Sequence, residues 1–158
     1  MIRRNELINN LHISDDSTNL VMLSGGISST VILAYLHSKK VKSINTVFFY
    51  FNKYSMCEEK SAKEISHHYK TKLNFINIEA IYGDMKIRYP DVKFNQFNDF
   101  YIPYRNGVMI SIAVALAYYH KLQNVFWGIS ENSLNYYSDC STQFVNAQKS
   151  SINYGTYN

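Results

Sequence analysis

Short apolar runs alternate with segments of helical periodicity along most of this chain. Leu20–Leu23 is an unbroken apolar run, long enough for a buried strand and too short for a helix. It passes directly into a turn of glycine and hydroxyl residues, Ser24–Thr30, after which Val31–Ala34 continue a helix predicted from Ser28 to Lys39. Ile44–Phe51 is rich in β-branched and aromatic residues and reads as a second buried strand. Glu58–Tyr69 follows as a helix with Ala62, Ile65 and Tyr69 inward, and Leu73–Ile78 is the third strand. Asn106–His120 is apolar enough for a buried helix, Asn124–Ile129 is the fourth strand, and Phe144–Ile152 is a last short helix. Two stretches stand apart. Residues 1–18 are expected to form a helical extension, with Leu7, Ile8 and Leu11 on one side and Asp15–Thr18 breaking it. Residues 80–101, with Gly83 and Pro90, read as a long loop of the kind that is usually functional or mobile.

Strands separated by helices of this length imply one α/β domain over residues 1–158, a parallel sheet covered on both faces. Right-handed crossovers bring the C-terminal strand ends to one edge, where ligands bind at the reversal of strand order. The loop after strand one, the stretch Tyr50–Tyr54 after strand two and the stretch Ser130–Cys140 after strand four share that edge.

The first of these loops carries the strongest candidate chemistry. A helix start presents unbonded N–H groups and about half a positive charge, which attracts anions. Gly25 and Gly26 allow positive φ and a close approach to a ligand, and Ser24, Ser28, Ser29 and Thr30 add hydroxyl donors. The competing reading is an ordinary strand-to-helix turn with Ser28 as its N-cap.

Composition narrows the partners. A net charge of +4 suits an anionic ligand, but it is too mild and too evenly spread to argue for nucleic acid. Cys57 and Cys140 stand far apart with no paired Cys or His, so neither a disulfide framework nor a zinc site is indicated. No apolar stretch is long enough to span a membrane and the N-terminus lacks a signal-peptide core, so a cytoplasmic location is expected.

Leu23–Thr30 resembles the PP-loop, S-G-G-x-D-S-S/T, of the ATP pyrophosphatases. Four further segments are similar to one branch, the 7-cyano-7-deazaguanine synthases (QueC) of queuosine precursor synthesis. Phe49–Asn52 with Glu58 and Ala62 matches the aromatic strand end and following helix, and Ile102–Asn106 resembles V-P-G-R-N. Gly128–Glu131 and Tyr137–Cys140, with Phe144 beyond, resemble G-x-x-E-D-x-S-G-Y-P-D-C-R-x-x-F. The resemblance covers residues 19–156. It implies a Rossmann-like three-layer PP-loop sandwich and an ATP-dependent adenylation of 7-carboxy-7-deazaguanine, followed by conversion to the nitrile. It places ATP or pyrophosphate on Leu23, Ser24, Gly25, Gly26, Ser28, Ser29, Thr30, Arg105 and Asn106, with Ser24 and Arg105 the catalytic pair. Arg105 suits a bidentate fork to phosphate or carboxylate, while Asn106 has a plainer role as cap of the next helix. The deazapurine-type ligand falls to Phe49, Phe51, Glu131, Tyr137, Asp139 and Cys140; Phe49 and Tyr137 read either as stacking faces or as core.

The chain departs from the family pattern in charge. Ser28 stands where the loop aspartate helps to place Mg²⁺, Ser133 stands in register for the acid after the family's glutamate, and Ser141 replaces an arginine. Tyr104 replaces the glycine before Arg105 and is expected to crowd the phosphate end. The sequence ends at Asn158, short of the family's C-terminal strand, helices and four-cysteine zinc site, so no zinc is expected. Two readings follow: an ATP-dependent ligase of the synthase type with weakened Mg²⁺ binding, or a module that binds or sequesters the ligand without turnover. A homo-oligomer or a partner protein is expected to cover the edge of the shortened sheet.

Overall fold

A computed structural model describes residues 13–51, 56–82, 102 and 104–156. The expected helix over 3–12, Asn52, residues 83–101 of the long excursion and Pro103 lie outside the described residues. Four strands, β1 (Thr18–Met22), β2 (Ser43–Tyr50), β3 (Lys72–Asn77) and β4 (Asn124–Phe126), form one sheet in the order β3-β2-β1-β4. Every pairing is parallel, and Val21 of β1 sits opposite Thr46 of β2 on one side and Phe126 of β4 on the other. The chain therefore steps outward from β1 to β3 and then returns to the far side of β1. That reversal opens a crevice above the β1 and β4 ends.

Six helices complete the described fold: α1 (Ile27–Ser38), α2 (Met56–His68), α3 (Glu79–Tyr82), α4 (Arg105–Tyr119), α5 (Glu131–Tyr136) and α6 (Thr142–Gly155). The central strands read as continuous apolar runs because both of their faces are covered. Leu20, Met22, Val47 and Phe49 face Ile110, Ala113 and Ala117 of α4, with Phe144 and Ile152 of α6 packed beside them. Leu23 and Phe48 point the other way, against Leu33 of α1 and Ala62 of α2, and Val21 meets Leu36 on that side. The result is the expected three-layer α/β sandwich. Ile65 and Tyr69 join the second face as anticipated, although only partly buried.

A buried polar residue joins three strands. Asn19, fully inaccessible, donates to the Ser17 and Ser43 carbonyls at 2.9 and 3.1 Å and accepts from Asn124 Nδ2 at 2.9 Å. β1 therefore begins at Thr18, inside the stretch expected to break the extension. The 80–101 loop expectation also needs correction at its start, because α3 carries residues 80–82 as a helical turn. The Ser130–Cys140 stretch is likewise not a plain loop: it holds α5 and a 3-10 turn at Ser138–Cys140. Short, weakly apolar helices of this kind leave no periodic signal. Among the described residues no helix is long and apolar enough to cross a membrane.

Three helices end on a lysine in the left-handed region: Lys40 after α1, Lys70 after α2 and Lys121 after α4, with φ of 58°, 53° and 56°. Each end closes with the paired bonds of a Schellman turn, for example Leu122 N–H to the Ala117 carbonyl at 2.8 Å and Lys121 N–H to Tyr118 at 3.1 Å. Glycine usually fills this position because a Cβ strains it by about 1–2 kcal/mol. Lys121→Gly is expected to stabilise the fold by about 1 kcal/mol in urea unfolding, whereas Lys121→Ala, which keeps the Cβ, gives no gain.

Candidate functional site

The loop between β1 and α1 is held by its own hydroxyls. The Ser29 hydroxyl lies 3.1 Å from that of Ser24 and donates to the Gly26 carbonyl at 3.1 Å, and Thr30 Oγ1 donates to the same carbonyl at 2.8 Å. The Ser24 and Gly26 N–H groups donate to the Ser29 and Ser24 hydroxyls. The helix starts one residue earlier than expected. Gly26 is its N-cap, with no side-chain capping bond, so Ser28 is not the cap. The N–H groups of Ile27, Ser28 and Ser29 find no acceptor among the described residues, leaving the helix start open to an anion.

Two glycines seat this loop. Gly25 has φ +80°, and a Cβ there would lie 2.4 Å from the Glu58 carbonyl oxygen and 2.9 Å from Ala62 N. Ser61 Oγ on the same helix donates to the Gly25 carbonyl at 2.9 Å. A Cβ on Gly128, just beyond β4, would meet the Ser28 and Ser29 backbone at 2.8–2.9 Å. Backbone is therefore pressed against backbone on both flanks of the loop.

The start of α4 supplies the cation. Tyr104 occupies the N-cap in the left-handed region at φ 59°, and its ring lies over Gly107. The ring then turns towards α6: it meets Phe144 edge-on at 5.7 Å and its hydroxyl accepts from Gln148 Nε2 at 2.8 Å. Tyr104 therefore does not crowd the phosphate end. Arg105 lies over the Phe51 ring, 5.1 Å from its centre. Asn106 does not cap α4 with its side chain. Its backbone N–H donates to Asp139 Oδ2 at 3.0 Å, while its amide reaches the Asp139 carbonyl at 3.4 Å and Cys140 Sγ at 3.2 Å. Asp139, buried and carrying the charge, is the group that satisfies the helix start.

These parts surround a cavity of about 300 Å³ at the crevice. Of the predicted site residues, Leu23, Ser24, Ser29, Phe49, Phe51, Arg105, Asn106, Tyr137, Asp139 and Cys140 all line it. Gly25, Gly26, Ser28 and Thr30 shape the adjoining loop without lining the cavity, and Glu131 opens α5 outside it. Phe49 is 6% exposed and belongs to the core, so it forms a wall rather than an open stacking face. Sequence reasoning passed over Met109, Trp127 and Ile129, which give the cavity much of its apolar lining, and it named Glu58 only as a motif match. Trp127 follows β4 at the crevice edge, a position that could have flagged it. Burial raises the Glu58 carboxyl above its ordinary range, and the Arg105 charge acts against that rise. Burial likewise pushes the Cys140 thiol from 9.0 to about 11, with Asp139 adding to the shift and Arg105 and the Asn106 amide opposing it.

A covered parallel sheet, a glycine-seated loop at the central strand end and an arginine-led helix beside it define an α/β protein of the PP-loop class. Within that class, the chain belongs to the family described as queuosine biosynthesis protein QueC, whose pattern matches residues 18–158. It is 33% identical over 146 residues to a 7-cyano-7-deazaguanine synthase of Campylobacter concisus, covering 85% of this chain and 65% of that one. A synthase of Thermoplasma volcanium is 28% identical over 146 residues, covering 87% of this chain and 60% of the relative. The chain thus spans less than two thirds of the length of these relatives. Among solved structures, an NH3-dependent NAD synthetase of Campylobacter jejuni shares the fold with a TM-score of 0.58 at 15% identity, covering 98% of this chain and 75% of that one. A glutamine-dependent NAD+ synthetase of Acinetobacter baumannii, in complex with ADP, gives a TM-score of 0.50 at 18% identity over 75% of this chain and 23% of that one.

The two thiols are expected to separate cleanly under alkylation. Cys57 is exposed and Cys140 buried, so iodoacetamide at neutral pH should modify Cys57 and spare Cys140, as read by peptide mass spectrometry. The folded chain keeps the Cys140 proton to about pH 11 while the unfolded thiol releases it near 9.0. Unfolding free energy should therefore fall as pH rises through that window and be unaffected by this group below it, a dependence that Cys140→Ala removes.

Proposed function

We propose that this chain binds ATP at the Ser24–Thr30 loop and a 7-deazaguanine-type carboxylate in the adjoining cavity. The arrangement suits the synthase reaction its family implies: ATP adenylates 7-carboxy-7-deazaguanine, ammonia displaces AMP to give the amide, and a second ATP activates the amide oxygen, which leaves with AMP as the nitrile forms. The observation that carries this reading is the convergence of the loop hydroxyls Ser24 and Ser29, the Arg105 guanidinium and an apolar wall on one cavity. In the adenylation step a carboxylate oxygen bonds to the α-phosphorus and the bond to the β,γ-pyrophosphate breaks. The open amides at Ile27–Ser29 and the Arg105 fork are the donors available to the leaving charge, and such donors lower the barrier when fixed in advance. Tyr137 and Trp127 border the space left for the ring.

Mg²⁺ accompanies ATP in such chemistry, neutralising the phosphates. Oxygen donors that line the cavity, among them the Ser24 and Ser29 hydroxyls and the Glu58 carboxylate, fit a hard ion of this kind.

A second reading, ligand binding without turnover, is favoured by what the replacement serines do. The Ser133 hydroxyl lies 2.8 Å from that of Ser130, the N-cap of α5, and Ser141 caps α6 by accepting from Phe144 N–H at 3.1 Å. Both serve helix starts and bring no charge to the cavity. Among the described residues β4 is the outer strand beside β1, which supports a second copy or a partner there; light scattering on the full chain tests this, and a monomer at all concentrations rejects it.

Pyrophosphate release and thermal shifts, measured with ATP, Mg²⁺ and 7-carboxy-7-deazaguanine, separate the readings. Release supports synthase chemistry, a shift without release supports the binding module, and the absence of both rejects the two together. Arg105→Lys, which keeps the charge and loses the fork, should weaken ATP binding by about tenfold in calorimetry.

A further inference from the structure

A carboxylate in the wall of an anion site is an expense unless a cation lies between it and the ligand. Glu58 is in that position, lining the cavity together with Ser24, Ser29 and Arg105. It is held close to the phosphate loop by the backbone itself. The Glu58 carbonyl occupies the place a Cβ on Gly25 would take, and Ser61, less than one turn along α2, bonds the Gly25 carbonyl. The other carboxylate lining the cavity, Asp139, is committed to the Asn106 N–H at the start of α4. No ion pair joins Glu58 to another side chain among the described residues. The loop has no acid of its own, since Ser28 occupies the second position of α1.

We infer that Glu58 is the protein's carboxylate for a divalent cation carried on the phosphates of the bound nucleotide. With serine in the loop, the acid nearest to it stands in the first turn of the neighbouring helix α2. This rests on the nucleotide reading above. Mg²⁺ on a polyphosphate keeps several waters and takes one or two carboxylates, so Glu58 with the phosphates is a sufficient set. Charge also fits: an ion carried on the phosphates would turn their repulsion by Glu58 into attraction.

Calorimetric titration of ATP into the full chain, with Mg²⁺ or with EDTA, provides a readout independent of turnover. In the native chain Mg²⁺ should tighten ATP binding by about tenfold or more. Glu58→Gln should reduce that gain to less than about twofold while binding metal-free ATP at least as tightly as the native chain, since a repelling charge is gone. Ser28→Asp added to Glu58→Gln should restore the Mg²⁺ gain by returning an acid to the loop, which also shows that the variants fold and bind. An unchanged Mg²⁺ gain in Glu58→Gln overturns the inference. So does a native chain that binds ATP equally well with Mg²⁺ and with EDTA, and in that case the nucleotide reading survives. A native chain that binds no ATP under either condition rejects the nucleotide reading itself, and this inference with it.

Discussion

Backbone contact without intervening side chains, at Gly25 and Gly128, is the constraint on which the site depends. At Gly25 the phosphate loop lies against the first turns of α2, and at Gly128 the exit from β4 lies against the start of α1. A methyl group at either place would collide with backbone atoms at under 3.0 Å, which real structures essentially do not tolerate. The first contact fixes the loop relative to α2 and the second fixes it relative to the fourth strand. The loop amides are therefore aimed by packing, not by the loop's own hydrogen bonds. Ser24, Ser29 and Thr30 then tighten what the glycines have seated.

A second clasp joins the far wall. Asp139, more than thirty residues from Asn106 in sequence, satisfies the first free N–H of α4 and places its negative charge at the positive end of that helix. The Asn106 side chain answers by reaching the Asp139 carbonyl and the Cys140 sulfur. Arg105 is thereby presented from a helix whose start is pinned to the 3-10 turn, and the turn in its place is anchored by Ser141 at the head of α6. Three elements, α4, the turn and α6, are thus tied into one wall. The same clasp encloses Cys140, whose sulfur accepts from the Asn106 amide.

The fold was legible because both faces of the sheet are covered, which leaves apolar runs and helical periodicity that one sequence displays openly. Every long element stands within three residues of its expected place. The helix stops at Lys40, Lys70 and Lys121 were not marked, because lysine there takes the conformation for which glycine is the usual signal. The small helices α3 and α5 were missed for want of a full period. At the site, the loop and Arg105 were readable as chemistry, since glycines, hydroxyls and an arginine before an apolar helix carry their purpose in composition. The opposite held for Asn106 and Asp139. Which of the two caps α4 depends on tertiary placement, and local preference pointed to the wrong one. Met109 was hidden for the same reason: a methionine in an apolar segment looks alike whether it faces a core or a cavity.

Geometry and charge are kept in this chain by different residues. The cavity's shape rests on Gly25, Gly128, Asp139 and Asn106, and changing any of these disturbs packing or leaves a buried polar group unsatisfied. Ser28, Ser133 and Ser141 lie at positions where a small hydroxyl residue is structurally adequate, and two of the three support helix starts. A cradle of this form therefore persists for reasons of stability whether or not phosphate chemistry takes place in it. What decides the chemistry is the charge remaining inside: Arg105 over Phe51, Asp139 bound to α4, and Glu58 beside the loop. With Asp139 occupied, one cation and one carboxylate among the described residues face the space where the phosphates would lie. An anion alone gains from the first and loses to the second, whereas an anion that brings its own divalent cation gains from both.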